Sequence, residues 1–264
     1  MSSQWYNIAM KRIVIITGAS SGIGREFARN LVQIKETDEM WLVARRKDRL
    51  EDLAQELSVP TRLFDLDLTR PEAIDTIGSA LSSEYCVVDT LVNNAGFGTY
   101  GPFCETAPER ELEMVDLNVR ALTALCALVL PKMDNKSKII NVASLAAFIP
   151  LGNFAVYAAT KAYVLSFSVA LAAEVADRGI TVTALCPGPV DTEFAKVASN
   201  GARQFVLKGK DTATVVTRCL KDVRRGKHIS LIHPQWKIMA LLSRFVGRYL
   251  YARHSYLNDK RPSQ

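Results

Sequence analysis

The chain has 264 residues, of which 48% are hydrophobic and 23% are charged. This length and apolar content suffice for one large core, and no Pro/Gly/Ser-rich linker divides the chain, so we expect a single domain over residues 1–264. The formal net charge is +6, but Lys and Arg are scattered rather than gathered in a stripe with interleaved aromatic residues. This distribution argues against a nucleic-acid-binding protein.

Residues 1–10 are predicted to form an N-terminal extension, which lacks both the basic start and the long apolar stretch of a signal peptide. The five cysteines are odd in number and show no C-x-x-C pairing, as is typical of reduced cytoplasmic proteins. The three histidines lie near the C-terminus without a metal-ligand spacing. We therefore expect a cytoplasmic protein with no metal site.

Apolar, strand-like runs recur along the chain, mostly with helical patterns between them. They occupy residues 12–16, 40–44, 61–65, 87–92, 137–143, 179–185 and 228–232. This alternation predicts an α/β fold, a doubly wound parallel sheet of about seven strands with helices on both faces. Ligands of such sheets bind outside the carboxyl ends of the strands, so motifs that follow strand ends are expected to meet in one crevice.

A glycine-rich turn, Thr17-Gly18-Ala19-Ser20-Ser21-Gly22-Ile23-Gly24, follows the first of these runs and opens a helical pattern. The free N–H groups at the start of a helix can hold a pyrophosphate. The spacing is T-G-x-x-x-G-x-G rather than G-x-G-x-x-G. The predicted dinucleotide contacts in this turn are Gly18, Ser20, Ser21, Gly22, Ile23 and Gly24.

The end of the second predicted strand indicates which dinucleotide binds. A site that prefers NAD usually has an acidic residue there to bond the ribose hydroxyls, whereas this chain has Arg45 and Arg46. Two guanidinium groups can bond a 2′-phosphate. The sequence therefore favours NADP(H) over NAD(H), with the alternative that both arginines merely face water.

Several further motifs follow in order. They are Asn93-Asn94-Ala95-Gly96, Asn118, Ser144, Tyr157-x-x-x-Lys161 and Pro187-Gly188. Together with the glycine turn, they make the chain resemble the short-chain dehydrogenase/reductase family. The resemblance implies a Rossmann fold and a nicotinamide cofactor.

The resemblance also assigns further cofactor contacts. Asp67 and Leu68 would contact the adenine ring, with Asp65 as the rival if the third strand ends earlier. The segment after the fourth strand would contribute Asn94, Ala95 and Gly96, while Thr17 and this segment brace the sheet. The loop over the nicotinamide would contribute Pro187, Gly188, Val190 and Thr192. Many family members that use NADP(H) have a basic residue before the second glycine, where this chain has Ser21.

Tyr157 and Lys161 are four residues apart, so they share one face of the helix predicted over residues 155–178. A nearby ammonium and an oxidised nicotinamide would both lower the pKa of the phenol, which is near 10 in free tyrosine. By resemblance, Tyr157 is the acid/base, Ser144 bonds the substrate oxygen, Lys161 also reaches the nicotinamide ribose, and Asn118 orders a water. Singly, each residue has an ordinary interpretation, as a helix-surface aromatic, a cap or a solvated polar group.

We therefore predict an NADP(H)-dependent enzyme that transfers hydride between nicotinamide and a carbonyl or secondary alcohol. The alternative is a catalytically silent NADP(H)-binding sensor or scaffold of the same fold. The predicted substrate wall comprises Phe97, Leu145, Phe154, Phe194 and Val197, together with Ser144 and Tyr157. Because this wall is mostly apolar and no arginine adjoins Ser144 or Tyr157, the substrate is expected to be a hydrophobic ketone, steroid or acyl chain.

Residues 235–251 are predicted to form an amphipathic helix with Lys237, Arg244 and Arg248 among large apolar residues. Its favoured interpretation is packing on the substrate pocket or on a neighbouring subunit, and the alternative is contact with a membrane surface. Members of the resembled family usually associate through two long helices, here near residues 108–131 and 155–178. A homodimer or homotetramer is expected.

Overall fold

The computed structural model describes residues 10–33, 37–204 and 209–259, so the predicted N-terminal extension lies outside the described residues except for Met10. Its strands are β1 (Lys11–Thr17), β2 (Glu39–Ala44), β3 (Thr61–Asp65), β4 (Cys86–Asn93), β5 (Lys138–Val142), β6 (Thr181–Leu185) and β7 (Ile229–Ser230). They form one sheet in the order β3-β2-β1-β4-β5-β6-β7, and all neighbours are parallel. The predicted doubly wound sheet is confirmed.

Helices cover both faces of this sheet. They are α1 (Gly22–Leu31), α2 (Lys47–Glu56), α3 (Pro71–Ser83), α4 (Pro108–Val115), α5 (Leu122–Val129), α6 (Ala155–Glu174), α7 (Phe194–Ala198), α8 (Thr212–Arg224), α9 (Pro234–Leu242) and α10 (Arg248–Asn258). Alternate β1 residues enter different cores: Ile13 packs in the cluster that includes Leu125 and Leu171, and Val14 in the cluster that includes Phe27 and Val215. Strands buried on both faces explain the continuous apolar runs of the sequence.

The helix expected near residues 108–131 contains a π-helical segment, Asp116–Ala121, between α4 and α5. Such segments insert an extra residue into a helix and occur often at functional sites. Pro108–Lys132 and Ala155–Glu174 are each long and apolar enough to cross a membrane by length and composition alone. Both contribute residues to the core beside the sheet.

The C-terminal segment differs from the single helix predicted over residues 235–251, because the chain forms α9 and α10 separated by residues 243–247. Each helix is fixed at a different place: the Trp236 ring lies against Gly188, and the Asn153 amide donates to the carbonyl oxygen of Tyr256 at 3.0 Å. The break between α9 and α10 therefore accompanies two separate contacts with the body of the protein. Gly247, with φ −57° and ψ 120°, begins α10 in a non-helical conformation.

Candidate active site

A cavity of about 720 Å³ opens at the carboxyl ends of the strands. It lies near β1, which has β2 on one side and β4 on the other, so the order of the strands reverses at this point of the sheet. Ligands of doubly wound sheets bind at this switch point. The cavity is lined by nearly all the predicted site residues: Gly18, Ser20, Ser21, Gly22, Ile23, Arg45, Arg46, Asp67, Leu68, Asn94, Ala95, Gly96, Phe97, Ser144, Leu145, Phe154, Tyr157, Lys161, Pro187, Gly188, Val190, Thr192, Phe194 and Val197. Gly24 and Asn118 lie behind this lining.

The glycine turn holds conformations that side chains disfavour. Gly18 has φ +65° and Gly22 has φ +53°. A Cβ on Gly24 would lie 2.3 Å from the carbonyl oxygen of Gly18, so Gly24 is required for close packing of α1 against the turn. Gly24 itself does not line the cavity, and its predicted contact with a cofactor stays a prediction.

The turn is braced against β4 as predicted. The Thr17 hydroxyl accepts hydrogen bonds from the backbone N–H groups of Asn94 (2.9 Å) and Ala95 (3.0 Å). The Asn94 amide donates to the carbonyl oxygen of Thr17 at 3.0 Å. Among the described residues, no side chain caps the start of α1, and Ser21 is the residue that directly precedes this helix. The N–H groups of its first turn are thus left for an anion in the cavity.

Arg46 lies directly over the glycine turn. Its Nη2 donates to the hydroxyls of Ser20 (3.1 Å) and Ser21 (2.9 Å), and its Nη1 pairs with Glu193 at 2.8 Å. Arg49 pairs with the other oxygen of Glu193 at 2.7 Å. Arg45 points elsewhere, towards Glu113, at 3.7 Å. The two adjacent arginines therefore have different environments, and Arg46 is the one joined to the turn.

Residues after β3 form the side wall of this end of the cavity. Because β3 ends at Asp65, the residues after it that line the cavity are Leu66, Asp67 and Leu68, while Asp65 does not line it. The Asp67 carboxylate accepts hydrogen bonds from the backbone N–H (3.0 Å) and hydroxyl (2.8 Å) of Thr69. Burial alone would raise the pKa of Asp67, but these bonds and nearby arginines outweigh it and hold the pKa below its usual range. Asp67 is thus an anion with a fixed orientation.

Ser144, Tyr157 and Lys161 meet at the other end of the cavity. Ser144 follows β5, and its hydroxyl accepts from the backbone N–H of Ala146 at 3.1 Å. Tyr157 and Lys161 lie on α6, where the Lys161 ammonium donates to the carbonyl oxygen of Val142 at 2.8 Å and lies 5.7 Å from the centre of the Tyr157 ring. All three side chains are buried.

Asn118 is placed by the π-helical segment. Its amide donates to the carbonyl oxygen of Phe97 (2.9 Å) and the hydroxyl of Thr160 (3.1 Å), and its oxygen accepts from the backbone N–H of Phe97 at 3.1 Å. A Cβ on Gly96 would lie 2.8 Å from the Asn118 oxygen and 3.4 Å from Lys161 Nζ. Asn118 therefore ties the loop after β4 to α6, immediately behind Lys161.

Burial controls the acidity of these groups. It raises the pKa of the Tyr157 phenol above its usual value, and a hydrogen bond with Ser144 opposes this only in part. Burial lowers the pKa of Lys161 to about 8. The protein groups alone therefore do not produce the lowered tyrosine pKa expected from the sequence. The free-energy cost of removing the phenolate from water is larger than the stabilisation that the neighbouring groups provide.

Aromatic rings fill the space beyond Tyr157. Phe154 stacks on Tyr157 with ring centres 4.1 Å apart, and Phe194 lies 5.3 Å from Tyr157. Tyr100 packs on the other side of Phe154 at 4.8 Å. Gly98 permits this packing, since a Cβ there would lie 2.7 Å from the Phe154 ring. This end of the cavity is thus walled mainly by rings.

Sequence reasoning missed some cavity residues. Among them are Tyr100, Ile149, Leu151, Arg203 and Glu193. Met239 and Tyr251 also line the cavity, which agrees with the favoured interpretation that residues 235–251 pack on the substrate pocket. Glu193 directly follows the predicted motif that ends at Thr192, so its position beside the motif was the available signal.

The sequence signature of short chain dehydrogenases matches residues 12–202. Serine 3-dehydrogenase of Agrobacterium fabrum is 35% identical over 254 residues, which cover 92% of this chain and 99% of that protein. An NADP-dependent 3-hydroxy acid dehydrogenase of Escherichia coli K12 is 35% identical over 193 residues, covering 72% and 77%. A solved structure of a short-chain dehydrogenase from Sphingobium yanoikuyae in complex with NADPH has a TM-score of 0.75 and 29% identity, covering 96% of this chain and 98% of that one.

Proposed function

The chain belongs to the short-chain dehydrogenase family, as predicted from its motifs, and on that premise we propose that it transfers hydride between NADP(H) and a carbonyl or secondary alcohol of a small hydrophobic substrate. The observation that carries the proposal is one cavity with two equipped ends. Ser144, Tyr157 and Lys161 line one end, and Arg46, bonded to the glycine turn, lines the other.

The residues at the strand ends fit a dinucleotide. The uncapped start of α1 and the positive-φ glycines leave backbone N–H groups for a pyrophosphate, and Asp67 with Leu68 would hold the adenine. The segment from Asn94 to Gly96 would pass beneath the cofactor. The loop that contains Pro187, Gly188, Val190 and Thr192 would cover the nicotinamide, which supplies or accepts the hydride when bound.

Arg46 supports NADP(H) rather than NAD(H). Its guanidinium and the hydroxyls of Ser20 and Ser21 form a compact donor group that suits a 2′-phosphate. Arg49 pairs with the other oxygen of Glu193, so the two arginines and this carboxylate together keep a net positive charge beside the turn. The NADPH complex of the Sphingobium relative and the NADP dependence named for the Escherichia coli relative agree with this choice.

Tyr157 would act as the proton donor when a carbonyl is reduced. Its raised pKa keeps the phenol protonated near neutral pH, which suits a general acid. In the oxidation of an alcohol, the positive charges of Lys161 and of an oxidised nicotinamide would have to stabilise the phenolate. Ser144 would hold the substrate oxygen where negative charge develops. Lys161 would reach the nicotinamide ribose, and Asn118 would position Lys161 and a water behind it.

The substrate class follows from the walls of the cavity. Phe97, Leu145, Phe154 and Phe194 favour a ketone, steroid or acyl chain with an apolar body. The named relatives act on serine and on 3-hydroxy acids, which carry carboxylates. Arg203 also lines the cavity, with its guanidinium carbon 5.6 Å from the centre of the Tyr100 ring. A substrate panel must therefore contain both neutral ketones and 3-hydroxy acids.

We also propose a homo-oligomer of the cytoplasm. Leu112, Val115, Tyr163 and Val169 are exposed apolar residues on α4 and α6, the helices through which members of this family usually associate. All five cysteines are described and free, which suits a reducing compartment.

The proposal is tested by fluorescence titration with NADPH and NADH, followed by turnover measurements with the panel for the wild type and Tyr157→Phe. We expect tighter NADPH binding, turnover of at least one ketone, and a loss of about 100-fold or more in kcat without loss of NADPH binding in the variant. NADPH binding with no turnover of any compound would instead support a sensor or scaffold. Preferential NADH binding would contradict the role given to Arg46.

A further inference from the structure

The most exposed apolar surface of the described chain lies in the segment from α9 to α10, residues 234–258, which we call the C-terminal hairpin. Phe245 is 80% exposed, Tyr249 77% and Leu250 70%. Further exposed apolar residues of the hairpin are Ile238, Met239, Leu241, Leu242, Val246, Tyr256 and Leu257. A soluble monomer seldom leaves so many large apolar residues exposed together.

The hairpin has some residues buried against the body of the protein and many apolar residues exposed. Trp236, Ala240 and Ser255 are buried against the body of the protein, Met239 and Tyr251 line the cavity, and the Tyr256 carbonyl oxygen accepts from Asn153. Ile238 and Leu242 occur at positions i and i+4 of α9, so they share one face of this helix, and both are exposed. This face is apolar and exposed, and no other element covers it among the described residues.

Every Lys, Arg, Asp or Glu of the C-terminal hairpin, and of the residues before it back to position 223, is a Lys or Arg. Residues 223–258 contain seven Lys or Arg and no Asp or Glu. Four of these cations, Lys237, Arg244, Arg248 and Arg253, belong to the hairpin, and in the described part of the chain none of the four forms an ion pair. Exposed apolar side chains next to unpaired cations are complementary to a lipid surface with anionic headgroups.

We propose that the C-terminal hairpin docks on an anionic lipid bilayer, with Phe245, Tyr249 and Leu250 in the interface and the four cations at the headgroups. A second copy of the chain fits this surface less well. In a two-fold interface the same patches face each other, and the hairpin offers no carboxylate to pair with the cations of its partner.

The location of the hairpin gives docking a consequence for the site. Met239 and Tyr251 line the cavity, so its substrate end would open beside the lipid surface. A hydrophobic substrate dissolved in the bilayer could then enter directly. This consequence rests on the proposed function, whereas docking itself does not.

The test is co-sedimentation of the full chain with vesicles of phosphatidylcholine alone and of phosphatidylcholine with phosphatidylglycerol. We expect binding to the anionic vesicles, weaker binding to the neutral ones, and release as salt is raised. Phe245→Ser should weaken binding about tenfold, because it removes a large apolar side chain from the interface. Arg248→Gln should weaken binding to anionic vesicles more than to neutral ones.

The matched control is Phe103→Ser, which alters a phenylalanine that is 63% exposed in the short turn Phe103–Glu105 outside the hairpin. It should leave vesicle binding unchanged, and thermal unfolding checks that every variant is folded. No sedimentation of the wild type at low salt would overturn the proposal. So would a change of oligomeric mass in Phe245→Ser without vesicle binding, which would assign the surface to a second copy. Since no turnover is measured, these outcomes are independent of the enzymatic proposal.

Discussion

The two ends of the cavity are built differently. The cofactor end is made by backbone and short polar side chains from residues 17–96, held by hydrogen bonds such as those of Thr17 and Asn94. The substrate end is made by rings and aliphatic side chains brought together from distant segments, including Phe154, Phe194 and Tyr251. A site formed by backbone requires particular residues, whereas a site formed by packed side chains can change shape with each substitution.

Removing the Arg46 side chain should have the largest effect on cofactor affinity, and this effect should be confined to the cofactor end. Arg46→Ala deletes the guanidinium joined to Ser20 and Ser21, so we expect NADPH affinity to fall about 10- to 100-fold, the effect of losing charge-assisted hydrogen bonds. NADH affinity should hardly change. Fluorescence titration with both nucleotides measures this change in preference.

The adjacent Arg45 provides the matched control. Its side chain is 60% exposed and lies 3.7 Å from Glu113, so Arg45→Ala should change NADPH affinity by less than about threefold. Equal losses in the two variants would mean that the arginines act only through their summed charge. In that case the assignment of the phosphate to Arg46 would be wrong.

The dependence of the rate on pH should report the catalytic end alone. Burial lowers the pKa of Lys161 to about 8, so its ammonium is lost as the pH rises through this value, while Tyr157, whose pKa is raised, stays protonated. We therefore expect kcat/KM for carbonyl reduction to be level below pH 8 and to fall towards tenfold per pH unit above it.

Lys161→Arg sharpens this test, because arginine keeps its charge over the whole range. The variant should be slower, since the guanidinium cannot reproduce the 2.8 Å contact with Val142, but the decline above pH 8 should disappear. A decline that persists in the variant would assign the titration to another group.

The same contrast explains which parts of the structure were predictable. The glycine turn, Asn94 and Tyr157-x-x-x-Lys161 have fixed local spacings, and the alternation of apolar runs with helical patterns predicts a doubly wound parallel sheet of about seven strands. The break at residues 243–247 was not predicted, because the sequence of residues 235–251 fits one amphipathic helix; in the structure Trp236 contacts Gly188 and Tyr256 contacts Asn153. The π-helical segment around Asn118 was missed for the same reason, since its sequence fits an ordinary helix. The pKa of Tyr157 depends on burial, which spacing alone does not reveal.

Glu193 connects the two ends, and its substitution should give the smallest effect. Its carboxylate holds Arg46 and Arg49 from the loop that contains Thr192, and although burial acts in the opposite direction, these arginines keep its pKa below the usual range. A bound 2′-phosphate would compete with this carboxylate for Arg46. Because the pair is partly exposed, Glu193→Gln should tighten NADPH binding only about two- to fivefold and leave NADH binding unchanged, as measured by the same titrations. Weaker NADPH binding in the variant would mean that Glu193 orients Arg46 for the phosphate rather than competing with it. The cofactor end would then depend on a loop of the substrate end for its geometry, and the separation between the two ends would fail at this residue.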